Sequence, residues 1–213
     1  MRKLNCAVIG AGMAGILAAI KLREDNVGDV VIFEKGDTYG GTWRENHYPG
    51  VACDVPSHLY SYSFAPNPDW SHRFSPGPEI KEYFARIAKE HGLDQITRFN
   101  DEVLTCDWVD GRWRLETRAG DGGDFDVVIA ATGVLHHPNI PEIAGLDSFQ
   151  GSAFHSARWV HSVPLDGRRI GVVGTGSTAI QITGALVDRA EHFSLFQRTP
   201  QWIMPLANAA YSD

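Results

Sequence analysis

Two glycine-rich segments have the residue types and spacing that bind the phosphates of a dinucleotide. The first consists of Gly10, Ala11, Gly12, Met13, Ala14 and Gly15. It follows an apolar run and precedes a helical pattern, which is the context that the GxGxxG fingerprint requires. The first glycine permits a tight turn, the second lets the backbone approach a pyrophosphate, and the third lets the helix pack closely on the strand. The helix N-terminus adds amide donors, so this segment is predicted to bind a pyrophosphate.

The acidic residue that follows the first segment indicates which dinucleotide it binds. Glu34 lies nineteen residues after Gly15, at the end of a second apolar run. A carboxylate at this position accepts hydrogen bonds from the diol of an adenosine ribose. The first segment is therefore predicted to bind FAD or NAD, whose ribose carries no phosphate. We include the adjoining Lys35 in this predicted site.

The second glycine-rich segment has a basic residue at the corresponding distance. This segment is residues 174–179, and it has alanine (Ala179) in the third glycine position, a replacement that the fingerprint tolerates. Arg198 lies nineteen residues after Ala179, and its guanidinium would pair with a 2′-phosphate, which predicts NADPH. The alternative is a solvated arginine at the end of a strand. The predicted second site consists of Gly174, Thr175, Gly176, Ser177, Thr178, Gln181, Arg198 and Thr199.

The hydrophobic pattern around the first segment predicts an α/β unit. Residues 4–9 and 30–33 form apolar runs typical of central parallel strands, and residues 13–24 have helical periodicity. A second helix is predicted over residues 78–91. Residues 36–56, which lie between the apolar run 30–33 and this second helix, are predicted to form an ordered loop.

A small antiparallel meander is predicted to be inserted in the first unit. Residues 103–108 and 113–118 alternate around Asp110 and Gly111, and a glycine-rich turn at 120–123 leads into a strand at 125–131.

The second unit repeats the strand, glycine turn, helix and strand order. Its elements are predicted at residues 169–173, 180–187 and 193–196. The fold class predicted is α/β with two Rossmann-like dinucleotide-binding units in series, the second incomplete because a half of this kind needs a further helix and strand. We predict an FAD-binding domain over 1–145 and the start of an NADPH-binding domain over 146–213.

Composition excludes several classes of function. The chain has 213 residues and a net charge of −7, which disfavours nucleic-acid and membrane binding through bulk charge. The apolar N-terminal run has three glycines and no clear cleavage site, so we do not interpret it as a secretory signal.

Three widely separated cysteines favour a reducing compartment, which predicts the cytoplasm. No metal site is predicted, since the histidines lack ligand spacing. The sequence leaves the oligomeric state open.

Several loops resemble those of class B flavoprotein monooxygenases. The similar segments are residues 40–43 (Gly-Gly-Thr-Trp), 48–54, 60–64 and 131–133. Residues 149–159 resemble the FxGxxxHxxxW fingerprint of type I Baeyer-Villiger monooxygenases, although Val160 departs from the residue usual at the next position. The resemblance extends along nearly all of the chain but covers only the N-terminal part of the family's usual length.

The resemblance implies an activity and further site residues. It implies reduction of FAD by NADPH, capture of O2 as a flavin C4a-peroxide, and conversion of a ketone to an ester or lactone. Asp54 resembles the family's active-site aspartate, which orients an arginine that would lie beyond residue 213. The alternative is that Asp54 has only a structural role, as a loop carboxylate that caps local amides. The resemblance also implies that His155 and Trp159 form a hinge that couples nicotinamide binding to the geometry of the flavin domain. The remaining residues that the resemblance assigns to the flavin site are Gly41, Thr42, Trp43, Tyr60, Val103, Thr132 and Gly133.

Two alternatives remain at this stage. One is a flavin monooxygenase that oxygenates nitrogen or sulfur, in which case the partner of O2 is a heteroatom substrate rather than a ketone. The other is an incomplete nucleotide-binding fragment without turnover, which would leave apolar sheet edge exposed.

Overall fold

The structure is a computed structural model that describes residues 2–212. Contacts divide the chain into two units, Met1–Arg44 with Ile80–Leu135, and Glu45–Glu79 with His136–Asp213. The strands are β1 (Leu4–Ile9), β2 (Gly28–Glu34), β3 (Thr97–Phe99), β4 (Val103–Val109), β5 (Arg112–Thr117), β6 (Gly120–Phe125), β7 (Val127–Ala130), β8 (Arg169–Val173) and β9 (His192–Phe196). The helices are α1 (Met13–Glu24), α2 (Thr42–Glu45), α3 (Gly77–Glu90) and α4 (Ser177–Leu186).

The first unit is built on a parallel sheet with strand order β3-β2-β1-β7. The strands β1 and β2 pair in parallel over their full length, and α1 connects them. Apolar runs form the centre of this sheet, and α1 buries Ile16, Ala19 and Ile20. The carboxyl ends of β1, β2 and β7 therefore lie at one edge, where an open α/β sheet binds ligands. The predicted Rossmann-like unit is confirmed.

A three-stranded antiparallel sheet, with order β4-β5-β6, is inserted between β3 and β7 as predicted. Two details differ from the prediction. Residues 120–123 belong to β6 rather than to a turn, and the strand predicted over 125–131 is two strands that are separated at Asp126. The Asp126 carboxylate accepts a hydrogen bond from the Asn5 amide and pairs with Arg2, so this position fastens the end of the insertion to β1.

The core of the first unit joins its two sheets. Ala7 and Phe33 pack with Leu115 and Phe125 of the inserted sheet. The rings of Phe33 and Phe125 meet edge to face with centroids 5.9 Å apart. The helix predicted over residues 78–91 is α3, and it buries Ile80, Tyr83, Phe84, Ile87 and Ala88.

The second unit contains a parallel pair, β8 and β9, connected by α4. Tyr48, Ile182 and Leu186 form its buried cluster, so the loop that contains Tyr48 packs on α4. Residues 208–211 lie antiparallel to residues 71–74, with the Arg73 amide donating to the Ala209 carbonyl at 2.9 Å. Within residues 2–212, no helix combines the length and the apolar content needed to cross a bilayer.

Candidate functional site

The first glycine loop lies at the carboxyl end of β1 and is fixed by its neighbours on both sides. The Gly10 amide donates to the Phe33 carbonyl at 2.8 Å, and the Ala131 amide donates to the Ile9 carbonyl at 2.9 Å. Gly10 has φ +105°, and a Cβ there would lie 2.5 Å from the Ala131 carbonyl oxygen. Only glycine suits this position, because its backbone is both left-handed and crowded.

Bare backbone surrounds the remaining glycines of the loop. A Cβ at Gly12 would lie 3.4 Å from the Gly41 Cα, and one at Gly41 would lie 2.9 Å from the Gly12 Cα. A Cβ at Gly15 would overlap the Gly10 carbonyl oxygen. The loop at Gly41 therefore approaches the first glycine loop without side chains between them. This arrangement places backbone without side chains at the N-terminus of α1, which is where a helix binds a pyrophosphate.

Glu34 is a buried carboxylate that contacts Ala11, Gly36 and Arg44 among the described residues. Its Oε2 accepts from the Ala11 amide at 2.8 Å, and its Oε1 accepts from the Gly36 amide at 2.7 Å. Arg44 Nη1 lies 2.9 Å from Oε1. A carboxylate has about four acceptor positions, so these contacts leave room for a ribose hydroxyl. Sequence reasoning missed Arg44, although a carboxylate buried at the end of a strand implies a cation nearby.

The other residues predicted for the first site are distributed around this edge of the sheet. The Trp43 amide donates to the Gly40 carbonyl at 3.0 Å, which forms the turn that begins α2 at Thr42. Val103 packs on the Phe33 cluster and has no polar atom in its side chain. The residues that are exposed at the loops are Met13, Ala14, Lys35, Thr132 and Gly133.

The second glycine loop reproduces the hydrogen bond of the first. The Gly174 amide donates to the Phe196 carbonyl at 3.0 Å, as the Gly10 amide does to Phe33. Gly174 has φ +116°, and Gly176 is the N-cap of α4. A Cβ at either glycine would meet no described atom within 4 Å, so the loop presents an open approach to its amides. Thr175 Oγ1 donates to the Thr199 carbonyl at 3.0 Å, which holds the segment after β9 against the loop.

The same hydrogen bond aligns the strand ends of the two units. Because Phe196 takes the place of Phe33, Gln197 corresponds to Glu34 and Arg198 corresponds to Lys35. Counting nineteen residues from the third loop position pairs Arg198 with Glu34 instead. The two counts differ because the second unit is one residue shorter between the glycine and the phenylalanine. Arg198 is exposed and lies two residues after the end of β9.

Asp54 is grouped with the second glycine loop in the second unit. Ser177 Oγ donates to Asp54 Oδ2 at 3.2 Å, at the N-terminal turn of α4. Tyr48 OH donates to Gln181 Oε1 at 2.8 Å, and Gln181 Nε2 donates to the Ala52 carbonyl at 2.8 Å. Burial raises the pKa of Tyr48, with nearby Asp54 raising it further, so the phenol stays protonated as a donor.

Other candidate residues of the second unit make local contacts that stabilise its fold. Burial is also the largest cause that raises the pKa of Cys53, which lies between Ala52 and Asp54. The Tyr60 amide donates to the Ser57 carbonyl at 3.0 Å and ends a short 3-10 turn. His155 accepts at Nδ1 from the Ala157 amide at 3.1 Å, and Trp159 packs on the Tyr48 cluster. These contacts are structural, and the hinge role of His155 and Trp159 stays a prediction.

Two βαβ units, each with a glycine loop that opens a helix, have the architecture of Rossmann-like folds. The chain belongs to the flavin-binding monooxygenase-like family, whose model matches residues 3–211. The family predicted from the loop motifs is therefore confirmed.

Known proteins resemble this chain along nearly its whole length. An uncharacterized monooxygenase of Mycobacterium bovis is 54% identical over 206 residues, which cover 97% of this chain and 42% of the relative. A Baeyer-Villiger monooxygenase of Streptomyces coelicolor is 48% identical over 211 residues, covering 98% of this chain and 40% of the relative. The crystal structure of cyclohexanone monooxygenase from Rhodococcus sp. Phi1 bound to NADP+ has a TM-score of 0.88 and 37% identity, covering 98% of this chain and 40% of that chain. The chain thus spans about two fifths of the length of these proteins.

Proposed function

We propose that this chain provides the FAD site and part of the NADPH site of a monooxygenase that inserts one oxygen atom of O2 into a ketone to give an ester or lactone. The observation that carries the proposal is the pair of glycine loops whose strands end in residues of different charge, with Glu34 and Lys35 in one unit and the uncharged Gln197 followed by Arg198 in the other. The Baeyer-Villiger monooxygenase of S. coelicolor and the NADP+-bound cyclohexanone monooxygenase support it.

The first loop fits FAD. The amides at Gly12 and the following residues would take the pyrophosphate, and Glu34 would take the ribose diol with its remaining acceptor position. The bare backbone at Gly41 leaves the approach clear. Bound FAD would supply the redox chemistry, namely acceptance of hydride from the nicotinamide and transfer of one oxygen atom of O2 to the substrate.

The second loop fits NADPH. The amides at residues 174–178 would take its pyrophosphate, and the Arg198 guanidinium would form charge-assisted hydrogen bonds with the 2′-phosphate. Thr199 is held at the glycine loop by the hydrogen bond of its carbonyl with Thr175, which keeps Arg198 next to the same site.

Asp54 is the residue of this chain that we assign to the oxygenating centre. Its carboxylate is exposed and takes one hydrogen bond from Ser177, so the other carboxylate oxygen is available to orient a cationic side chain. The positioned negative charge would hold that cation beside the flavin.

We further propose that the protein works in the cytoplasm on small-molecule substrates. The cysteines Cys6, Cys53 and Cys106 are all free thiols, which suits a reducing compartment.

The alternative to a ketone substrate is an amine or a sulfide. An oxygenated amine or sulfide as the product would indicate the N- or S-oxygenating branch.

The experiment is product analysis with purified protein, FAD, NADPH and air. We expect the protein to bind FAD with a flavin absorbance spectrum, to consume NADPH, and to convert a cyclic ketone to its lactone, as measured by mass spectrometry. Asp54→Ala is the matched variant, and it should retain FAD binding but lose lactone formation. An N-oxide from an amine with no lactone would favour the alternative branch. Binding of both nucleotides without any product would favour the fragment without turnover.

A further inference from the structure

One side chain, Gln181 on α4, holds the loop that leads to Asp54. Its Oε1 accepts from Tyr48 OH at 2.8 Å, and its Nε2 donates to the Ala52 carbonyl at 2.8 Å. The two partners lie at either end of the segment 48–52, so a single amide closes this segment against the helix. Both ends of the amide are occupied by protein.

The orientation of this amide follows from its partners. A backbone carbonyl only accepts hydrogen bonds, so the atom that faces Ala52 is the NH2 group. The carbonyl oxygen of the side chain then faces Tyr48, which donates its hydroxyl proton. Both interactions are satisfied only when the residue has a donor and an acceptor, which isosteric Met or Glu cannot supply together.

The backbone of the same loop is shaped to lie on the helix at this residue. A Cβ at Gly50 would lie 2.6 Å from the backbone carbonyl oxygen of Gln181 and 3.1 Å from the Ala185 Cβ. Gly50 has φ +83°, so glycine is required for its conformation as well as for the close approach. On its other side, the loop is held by the Cys53 amide, which donates to the Ser75 carbonyl at 3.0 Å.

Asp54 needs such a restraint because of where its carboxylate lies. It contacts Ser177, the first residue of α4, whose N-terminal amides would bind a pyrophosphate. An anion bound there would repel the carboxylate, and an exposed loop would relax by moving away. A backbone anchor at Ala52, two residues before Asp54, opposes that movement.

We propose that Gln181 is a positioning residue that limits the coupling between occupancy of the second glycine loop and the placement of Asp54. Its amide binds the loop rather than the dinucleotide, although it lies in the helix that the loop opens. The proposal rests on the proposed function in one respect, namely that residues 174–178 bind NADP+. Loss of the anchor frees the segment 48–54 and increases the effect of NADP+ on it.

Cys53 provides a reporter inside this segment. Its side chain is buried, so alkylation by N-ethylmaleimide requires the loop to open. We expect Gln181→Met, which keeps the length and helix propensity of glutamine, to raise the labelling rate of Cys53 by about tenfold, since two hydrogen bonds are lost. Per-site mass spectrometry separates Cys53 from Cys6 and Cys106.

The matched control is Thr183→Ala on the same helix. Thr183 Oγ1 donates to the Ala179 carbonyl at 2.7 Å, so this variant removes a side-chain hydrogen bond without touching the loop. Its Cys53 labelling rate should equal that of the wild type. Tyr48→Phe removes only the hydroxyl partner and should raise the rate by a smaller factor. This second variant decides the question if Gln181→Met fails to fold, as checked by circular dichroism.

The coupling is measured by adding NADP+ at saturation, with its Kd determined by calorimetry for each variant. NADP+ should change Cys53 labelling little in the wild type and in Thr183→Ala, but should speed it in Gln181→Met, where the repelled loop has lost its anchor. Wild-type protein that does not bind NADP+ would overturn the proposed function and the coupling together. Intact NADP+ binding, with Cys53 labelled equally in Gln181→Met and the wild type, would overturn only the role of Gln181.

Discussion

Arg44 and Glu34 form a buried ion pair, with Nη1 and Oε1 2.9 Å apart. The side chain of Glu34 is 4% exposed and that of Arg44 is 12% exposed, so neither charge is well solvated. Glu34 also accepts the Ala11 and Gly36 amides, which connects the end of β2 to the first glycine loop. The residue predicted to recognise a ribose therefore also holds the loop that would bind the pyrophosphate.

Glu34→Gln should destabilise the protein strongly. The amide NH2 would face a backbone donor or the guanidinium, and the mostly buried Arg44 would lose the negative charge of Glu34. We expect a loss of about 3 kcal/mol in the free energy of unfolding, measured by urea denaturation. The control is Glu90→Gln, which affects an exposed pair with Arg86 at 3.2 Å and should cost less than about 0.5 kcal/mol. Equal effects at the two positions would contradict a structural role for Glu34.

Gly15→Ala and Gly184→Ala should change stability in opposite directions. A Cβ at Gly15 would overlap the Gly10 carbonyl oxygen, whereas one at Gly184 would meet no described atom within 4 Å. Gly184 lies inside α4, so alanine should stabilise the protein by about 0.5–1 kcal/mol through helix propensity. Gly15→Ala should lower the Tm by several degrees and weaken FAD binding, because α1 must move from β1. A Gly15→Ala protein with wild-type Tm would show that this close approach is not needed.

Tyr39 should make stability depend on pH in the alkaline range. Burial, as the largest cause, raises the pKa of Tyr39 to about 12, against 10.0 as its ordinary value. Between these values the unfolded chain loses the phenol proton while the folded chain keeps it, so the stabilisation present below pH 10 declines as the pH rises to 12. The decline is up to about 1.4 kcal/mol per pH unit.

Tyr39→Phe tests this dependence. The variant has no proton to lose at this position, so its free energy of unfolding should fall less steeply than that of the wild type over the same pH range. Tyrosinate absorbance of the folded wild type should also contain one late-titrating component that the variant lacks. Identical pH slopes for the two proteins would contradict the prediction.

Arg198→Ala should reduce the preference for the phosphorylated dinucleotide. Loss of charge-assisted hydrogen bonds should raise the Kd for NADP+ by about tenfold or more and leave the Kd for NAD+ nearly unchanged, as measured by calorimetry. Arg168→Ala is the control, because Arg168 precedes β8 and Arg198 follows β9, at opposite ends of a parallel pair. Equal weakening of both nucleotides would show that Arg198 does not select the 2′-phosphate.

The local elements follow closely from the sequence. The predicted strand 4–9 and helix 13–24 have the bounds found in the structure, and the glycine loop lies between them. Apolar periodicity and left-handed turn positions act over a few residues, so they can be read without knowing the tertiary contacts. The strand predicted over 125–131 was wrong as a single element, because its interruption depends on Asn5 and Arg2, far away in the chain.

The sequence by itself determined the family, the α/β class and the two glycine loops, since these depend on motifs whose geometry is local. Only the tertiary structure decided that Arg44 neutralises Glu34, that Gln197 rather than Arg198 takes the place of Glu34, and that Gln181 anchors the Asp54 loop. Tyr48 and Gln181 are 133 positions apart. No short-range pattern specifies such a pair, because it forms only when the packing of the loop on α4 brings a donor and an acceptor together.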